Sequence, residues 1–597
     1  MTATHKARTL HRTTIADRWD LTDLLKDPVH QLDTHLSAID ALVTQVESAR
    51  DTLSPTLSAE DFGSILNLSE SVTRSASRVG AYAYLWFSEN TKDSRARSFK
   101  ANVEERLTAL QNRLLFFELW WQSIDEQNAV RLLNGSGDMR YHLETIRRYK
   151  PHTLTEPEEK IINVKNVTGR SAVNTLYDVV TNGLTFSMKV AGRRKVLNRE
   201  GLMPYVRSPR AAVREAAYQE LYRVFSAQRD VLGEMYKTLV NDWKSENVGL
   251  RRFTSPIAAR NLGNDVPDAA VDVLLSVCAE NADLFQQYFK LKARICGIKS
   301  MSRYHVYAPH RTDVKKYRYP DAVRMVLEAY RGFSPRMADC AEQVFNDRHI
   351  DAPTRPGKLG GAYCYSVVPG LTPYVMLNYT GDARDIATMA HELGHAVHGM
   401  LAAHHSVFTF HSTLPLAETA SVFGERILSD ALMQQESNTK IRQGLLLSQL
   451  DDIYATVLRQ AYFVRFERMA HKMIAEGATG DQLAQTYLAE LRQQFGKAVK
   501  VPQEFQWEWL TIPHLYASPF YCYAYSFGNL LVLALYRTYQ REGPSFVPKY
   551  LDLLATGGSM APEAILKSVN IEMTSKAFWQ SGFATIRDMI DQLDATL

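Results

Sequence analysis

Between residues 386 and 401 the chain repeats its apolar side chains every three or four positions. Ile386, Met389, Ala390, Leu393, Val397, Met400 and Leu401 fall within a stripe of about 120° when each residue advances about 100° around a helix. The spacing predicts an amphipathic helix packed by that stripe against the protein body. His391 and His395 stand one turn apart on the opposite face, with both imidazoles projecting the same way. That is the geometry two nitrogen ligands of one metal ion require.

The rest of the chain favours helices too. It has 30 glycines and 22 prolines in 597 residues, short of the roughly 12% that average usage would give, so turn signals are sparse. The expected fold class is mainly α. With 45% hydrophobic and 22% charged residues, the chain can bury a large core, which excludes collagen-like and disordered classes. A formal charge of +4, with bases interspersed among acids as in Glu104-Glu105-Arg106, gives no stripe for nucleic acid. The five cysteines are scattered without a C-x-x-C pair, which points to a reducing compartment, the cytoplasm.

Residues 1–20 carry Lys6, Arg8 and Arg12 without an apolar run, and read as a tail rather than a secretory signal. Residues 520–536 are uncharged but interrupted by Ser526, Gly528 and Asn529, and read as a buried helix rather than a membrane span. A shorter period between Gly183 and Gly201 divides the remainder into an N-terminal helical region, 21–200, and a second region, 201–597, which carries the motifs that follow. Residues 362–368 and 374–379 are β-rich runs separated by Pro369-Gly370-Leu371-Thr372-Pro373, and read as a hairpin or adjacent strands. Residues 355–361 do not fit G-x-x-x-x-G-K-[ST] and read as a mobile loop.

His391-Glu392-Leu393-Gly394-His395 is an H-E-x-x-H motif. Two histidines leave a catalytic zinc one protein ligand short. The metzincin solution fails, because the third and sixth positions after the second histidine hold His398 and Leu401. Residues 416–432 supply a better one. Leu416, Ala420, Phe423 and Ile427 form one helical stripe, and Glu418 and Glu425 share the opposite face. Glu418 is the expected third ligand, and Glu425 the expected partner hydrogen-bonding a ligating histidine. His398, His404, His405 and His411 compete for the third position, His398 rather as a supporting residue. Glu392 is too close in sequence to join its neighbours as a ligand, and is expected to act as general base on a zinc-bound water. The inference is metal-assisted amide hydrolysis.

Such chemistry needs oxyanion donors. Residues 513–525 concentrate them: His514, Tyr516, Tyr521, Tyr523 and Tyr525. Ser518-Pro519 reads as the N-cap and first position of a helix. From spacing alone, buried tyrosines with paired hydroxyls are the favoured reading.

In combination these motifs resemble the thimet-oligopeptidase-like zinc peptidases, and within them the oligoendopeptidase F branch. The matching residues are His391-Glu392-Leu393-Gly394-His395-Ala396-Val397-His398 and Glu418-Thr419-Ala420-Ser421 with Glu425. Further matches are Gly357-Lys358, Gly361-Ala362-Tyr363, Met376-Leu377-Asn378-Tyr379 and the aromatic segment after His514. Some branches carry proline where Ala420 stands. The resemblance implies a helical ellipsoid with a deep internal channel, and a small β-sheet beside the zinc helix. It implies short unstructured oligopeptides as substrates and one Zn²⁺ per chain. His514, Tyr521 and Tyr523 then become expected transition-state donors, and Gly361, Ala362, Tyr363, Asn378 and Tyr516 expected substrate contacts. The strand at 374–379 is expected to pair with the substrate backbone. A zinc endopeptidase is the leading reading. An exopeptidase on a similar site, and a non-catalytic helical peptide-binding protein, are the alternatives.

Overall fold

Alternation along one short strand organises the molecule. In this computed structural model, which describes residues 15–190, 192–310 and 316–597, three strands form a sheet. They are β3 (Ile350–Pro353), β4 (Tyr363–Tyr365) and β5 (Tyr374–Tyr379). An earlier hairpin, β1 (Phe186–Val190) with β2 (Arg193–Leu197), stands apart. β5 lies in the centre, parallel to β3 and antiparallel to β4. Successive side chains of a strand point to opposite faces, and here each face has its own core. Val375 and Leu377 join the main core, whereas Tyr374 and Met376 join a second one built from residues 19–143. The sheet is therefore the wall between two helical assemblies.

Everything else of size is helical, as the shortage of glycine and proline predicts. Long helices at Ala59–Glu89 and Ser94–Ser123 lead the second core; the main core gathers helices from residue 177 to the C-terminal helix Lys576–Asp594. Residues 1–14 of the expected tail lie outside the described residues. The remainder is docked rather than frayed: Asp17 O accepts from Ala352 N at 2.9 Å, and the buried Trp19 donates to Glu89 at 2.5 Å.

The loop expected to be mobile at 355–361 is pinned instead. Lys358 Nζ donates to the carbonyls of Asp351, Pro353 and Leu377 at 3.0, 3.0 and 2.6 Å. Leu359 N donates to Ser88 O at 2.9 Å, and Thr91 N to Gly357 O at 2.7 Å. A lysine bonding three carbonyls, which sequence cannot foresee, satisfies backbone groups that would otherwise be orphaned. The uncharged run 520–536 forms part of the buried helix Tyr523–Glu542. No helix among the described residues is long and apolar enough to cross a membrane.

Candidate metal centre

The H-E-x-x-H residues lie on the helix Ala383–Leu401, opened by a reciprocal capping box between Asp382 and Asp385. The predicted stripe is buried from Ile386 to Leu401 apart from the half-buried Met400. The opposite face is not free, however. Glu392, Gly394, Ala396 and His398 are also buried, so the middle of the helix runs through the interior, where His391 and His395 keep partial access. A second helix, Thr419–Gln435, crosses it with its predicted Ala420, Phe423 and Ile427 stripe inward. The crossing is set by Gly394. A Cβ there would stand 2.6 Å from both Ala420 O and Ser421 Cα, so only glycine lets the backbones approach this closely. The helix expected over 416–432 breaks at Glu418, which ends the short helix Leu414–Ala417 and caps the next one.

This close crossing brings the side chains together. Glu418 Oε2 lies 3.3 Å from His391 Nε2 and 3.5 Å from His395 Nε2. The three residues form the one His/Cys/Asp/Glu group among the described residues able to hold a metal ion, their donor atoms all within 4.8 Å of one another. A tetrahedral ion with bonds of about 2.0–2.1 Å separates its ligands by about 3.3–3.4 Å, so the two-nitrogen, one-oxygen set fits zinc. Supporting bonds aim the donors. His391 Nδ1 bonds Glu425 Oε1 at 2.5 Å, and Ser421 Oγ donates to Glu418 Oε2 at 2.7 Å. The Ala417 backbone favours charge on both His395 and His398, against the larger effect of their burial. Ser421 stood inside the matching sequence segment, yet its role became visible only with the fold.

Electrostatics differ across the group. Burial opposes charge on His391, but the Glu425 bond and the surrounding carboxylates outweigh it and raise its pKa to about 9. Burial pushes Glu392 up to about 7, with Glu418 and Glu425 adding to the rise and His391 opposing it. The nearby Cys364 N–H offsets a small part of that rise. A buried carboxyl titrating near neutrality can both take and return a proton. His398 is buried and pushed down to about 4, chiefly by that burial. His404, His405 and His411 bond or stack elsewhere, His405 on Asp138 at 2.6 Å.

The aromatic segment is arranged differently from the expectation. Its long helix starts at Tyr523, not after Ser518, because Phe520 takes a left-handed φ of 58° and separates it from the short helix Pro513–Ala517. His514, Tyr521 and Tyr525 cluster on the accessible side. The His514 and Tyr521 rings stack at 5.8 Å, Tyr521 meets Tyr525 edge-on at 5.3 Å, and Tyr525 Oη lies 3.5 Å from His514 Nε2. Burial raises the Tyr525 pKa, and Tyr521 and Glu418 add to it.

Tyr516 does not line this site. It is buried, stacked on Tyr177 at 3.9 Å, with its hydroxyl directed to Leu232 O. Tyr523 also points inward, where its hydroxyl accepts from Asn264 Nδ2 at 2.8 Å. At about 100° per residue Tyr525 returns to the side of Tyr521 while Tyr523 falls opposite, so Tyr525 rather than Tyr523 accompanies Tyr521 on the accessible side. The four-residue step from Tyr521 to Tyr525 was the signal that could have found it.

Two strand expectations also change. β5 has a partner on each side, so it has no edge to offer a peptide; the outer strands are β3 and β4. Asn378 Nδ2 donates to Leu359 O and Gly361 O at 2.9 and 2.8 Å, so its amide holds the 355–361 loop. Gly361 is exposed with φ of 82°, and Ala362 and Tyr363 are half-buried at the start of β4.

The chain has clear relatives. A model described as peptidase family M3 matches residues 205–585, and one described as oligopeptidase F matches residues 120–186. An oligoendopeptidase F homolog of Borreliella burgdorferi is 25% identical, covering 94% of this chain and 95% of the relative. The oligopeptidase PepF of Bacillus subtilis is 24% identical, covering 97% and 87%. Among solved structures, one from Chlamydophila abortus superposes with a TM-score of 0.87 at 23% identity, covering 98% of this chain and 99% of that one. The oligoendopeptidase-F of Enterococcus faecium gives 0.71 at 21%, covering 95% and 99%.

Proposed function

The chain belongs to peptidase family M3, and on that premise we propose that it is a zinc-dependent endopeptidase hydrolysing internal bonds of short unstructured oligopeptides. The observation that carries this reading is the convergence of His391 Nε2, His395 Nε2 and Glu418 Oε2 next to the buried carboxyl of Glu392. Relatives named oligoendopeptidase F support the substrate class. The cysteines are all unpaired, which supports a reducing compartment, the cytoplasm.

A zinc ion held by His391, His395 and Glu418 would supply the Lewis acid that polarises the scissile carbonyl and acidifies water. The chain's own residues do the remaining work. Glu425 fixes the ring of His391 and keeps its Nε2 turned towards the donor set, while Ser421 orients Glu418. Glu392, buried beside the donor set, takes the proton of the attacking water and returns it to the departing amine. His514 and the Tyr521 and Tyr525 hydroxyls are donors for the developing oxyanion.

An extended peptide would add to the free edge of β4. β4 packs against the helix Ala383–Leu401 that carries Glu392, so that edge would run past the general base. Main-chain bonding of this kind reads any sequence and leaves preference to side-chain pockets.

The test is cleavage of a peptide blocked at both ends by the zinc-loaded protein, with fragments identified by mass spectrometry. Internal fragments are expected. An intact blocked peptide alongside trimming of its free-ended analogue would overturn the endopeptidase reading in favour of an exopeptidase.

A further inference from the structure

The peptide unit joining Pro519 to Phe520 is gripped at both ends by side chains from distant parts of the chain. Its carbonyl accepts from Arg260 Nε at 2.9 Å, and its N–H donates to Glu467 Oε1 at 2.8 Å. Arg260 lies on the helix Pro256–Gly263 and Glu467 on the helix Arg459–Ala475. Neither belongs to the metal-donor group.

Three features mark this grip as more than routine backbone satisfaction. Phe520 holds a left-handed φ of 58° although it carries a Cβ, a conformation that persists only where the surroundings over-determine it. Glu467 is almost fully buried, and its second oxygen, Oε2, has no hydrogen-bond partner. A carboxyl is a costly way to satisfy one N–H in such surroundings, where an amide or a hydroxyl would serve. Finally, the segment is held a second time from the same direction, because Asn264, just beyond the Arg260 helix, donates to Tyr523 Oη at 2.8 Å.

The gripped unit lies one peptide unit before Tyr521, in the turn that precedes the helix bearing Tyr525. That helix also packs on the metal-donor group. A Cβ at Gly528 would stand 3.2 Å from Glu418 Cβ, so its position bears on Tyr525 and Glu418 together. A flipped Pro519–Phe520 plane would release the turn and misplace both hydroxyls relative to His514.

We infer that Arg260 and Glu467 are positioning residues: together they fix the Pro519–Phe520 peptide plane, and through it hold Tyr521 and Tyr525 in place for catalysis. This inference rests on the peptidase reading of the site, but the grip itself can be read without activity.

The experiment compares Glu467→Leu, Glu467→Gln and Arg260→Met with the parent chain, all zinc-loaded, by hydrogen–deuterium exchange of residues 518–526 and by kinetics on a blocked peptide. Glu467→Leu should speed exchange in that segment at least tenfold, leaving residues 383–401 unchanged. It should lower kcat by about 30- to 100-fold, the scale of a 1 Å misplacement, with KM within threefold and zinc content unaltered. Glu467→Gln keeps an acceptor oxygen and should restore both readouts to within threefold. Arg260→Met frees the carbonyl end and should reproduce the leucine phenotype; it decides the matter alone if Glu467→Leu does not fold. Parental exchange or parental kcat in the disrupted variants would overturn the inference, as would a glutamine variant as impaired as the leucine one. An inactive parent chain would count against the peptidase reading alone, and the exchange contrast would still decide the grip.

Discussion

Gly394→Ala is the most informative single perturbation of the metal centre, since it adds one methyl group and touches no ligand. That methyl would stand 2.6 Å from Ala420 O and from Ser421 Cα, where ordinary contact begins at 3.4 Å. Both obstacles are backbone, so the two helices must separate by roughly 0.8 Å to restore van der Waals contact. Glu418 is two residues from Ala420 and moves with it. Metal–ligand distances tolerate about 0.2 Å, so the displacement exceeds what the donor set can absorb. The zinc dissociation constant should rise at least 100-fold, which is about 2.7 kcal/mol.

Stability of the metal-free protein gives an independent reading of the same substitution. Alanine gains about 1 kcal/mol in helix propensity, but forcing a methyl into a closed backbone crossing costs about 1–3 kcal/mol. The net expectation is destabilisation of up to about 2 kcal/mol. Chelator-competition titration measures the first quantity and urea unfolding the second. A variant that binds zinc within threefold of the parent and unfolds at the same urea concentration would refute the argument that Gly394 sets the crossing.

Three further outcomes are expected. Glu425→Ala should weaken zinc binding about 10- to 100-fold, because His391 loses the 2.5 Å bond that holds its ring; competition titration checks this. Tyr525→Phe should lower kcat by about 10²–10³ with little change in KM if its hydroxyl serves the oxyanion, whereas Tyr516→Phe, altered inside the core, should not; steady-state kinetics separates them. Glu467→Gln should become increasingly more stable than the parent as pH rises. Burial raises the Glu467 carboxyl from 4.5 to about 8, so its contribution is fully present below about pH 4.5 and is lost as pH passes through about 8, by an amount on the order of a few kcal/mol. Urea unfolding of both proteins at pH 5 and pH 9 checks the sign; a gap that shrinks with rising pH would contradict it.

What could be read in the sequence was whatever one helix or one strand encodes locally. The three-and-four spacing from Ile386 to Leu401 specifies a helix and places His391 and His395 together. The stripe of Ala420, Phe423 and Ile427 does the same for the helix that carries Glu425, because each pattern needs only its own period, but it gave no sign of the break at Glu418. Strand existence at β4 and β5 was legible from β-branched and aromatic runs. Their order was not, since β3 enters from residues 350–353 and its parallel pairing with β5 depends on the whole chain. The inward placement of Tyr516 and Tyr523 was hidden for a related reason. Ser518-Pro519 has the chemistry of a helix start, yet Phe520 is held left-handed by Arg260 and Glu467, 260 and 53 residues away in sequence. Tertiary bonds of that range leave no local signal. Ser421 and Lys358 belong to the same class: ordinary residues in the sequence whose importance comes from the atoms they reach.

The central claim is that His391, His395 and Glu418 hold one zinc ion and that Glu392 moves the proton for hydrolysis. It is tested most directly by measuring zinc content and blocked-peptide cleavage in parallel on the parent chain, Glu392→Gln and Glu418→Ala. The account predicts one zinc per chain and internal cleavage for the parent, one zinc and no cleavage for Glu392→Gln, and neither for Glu418→Ala. Full cleavage by Glu392→Gln, or stoichiometric zinc retained with parental affinity by Glu418→Ala, would contradict it.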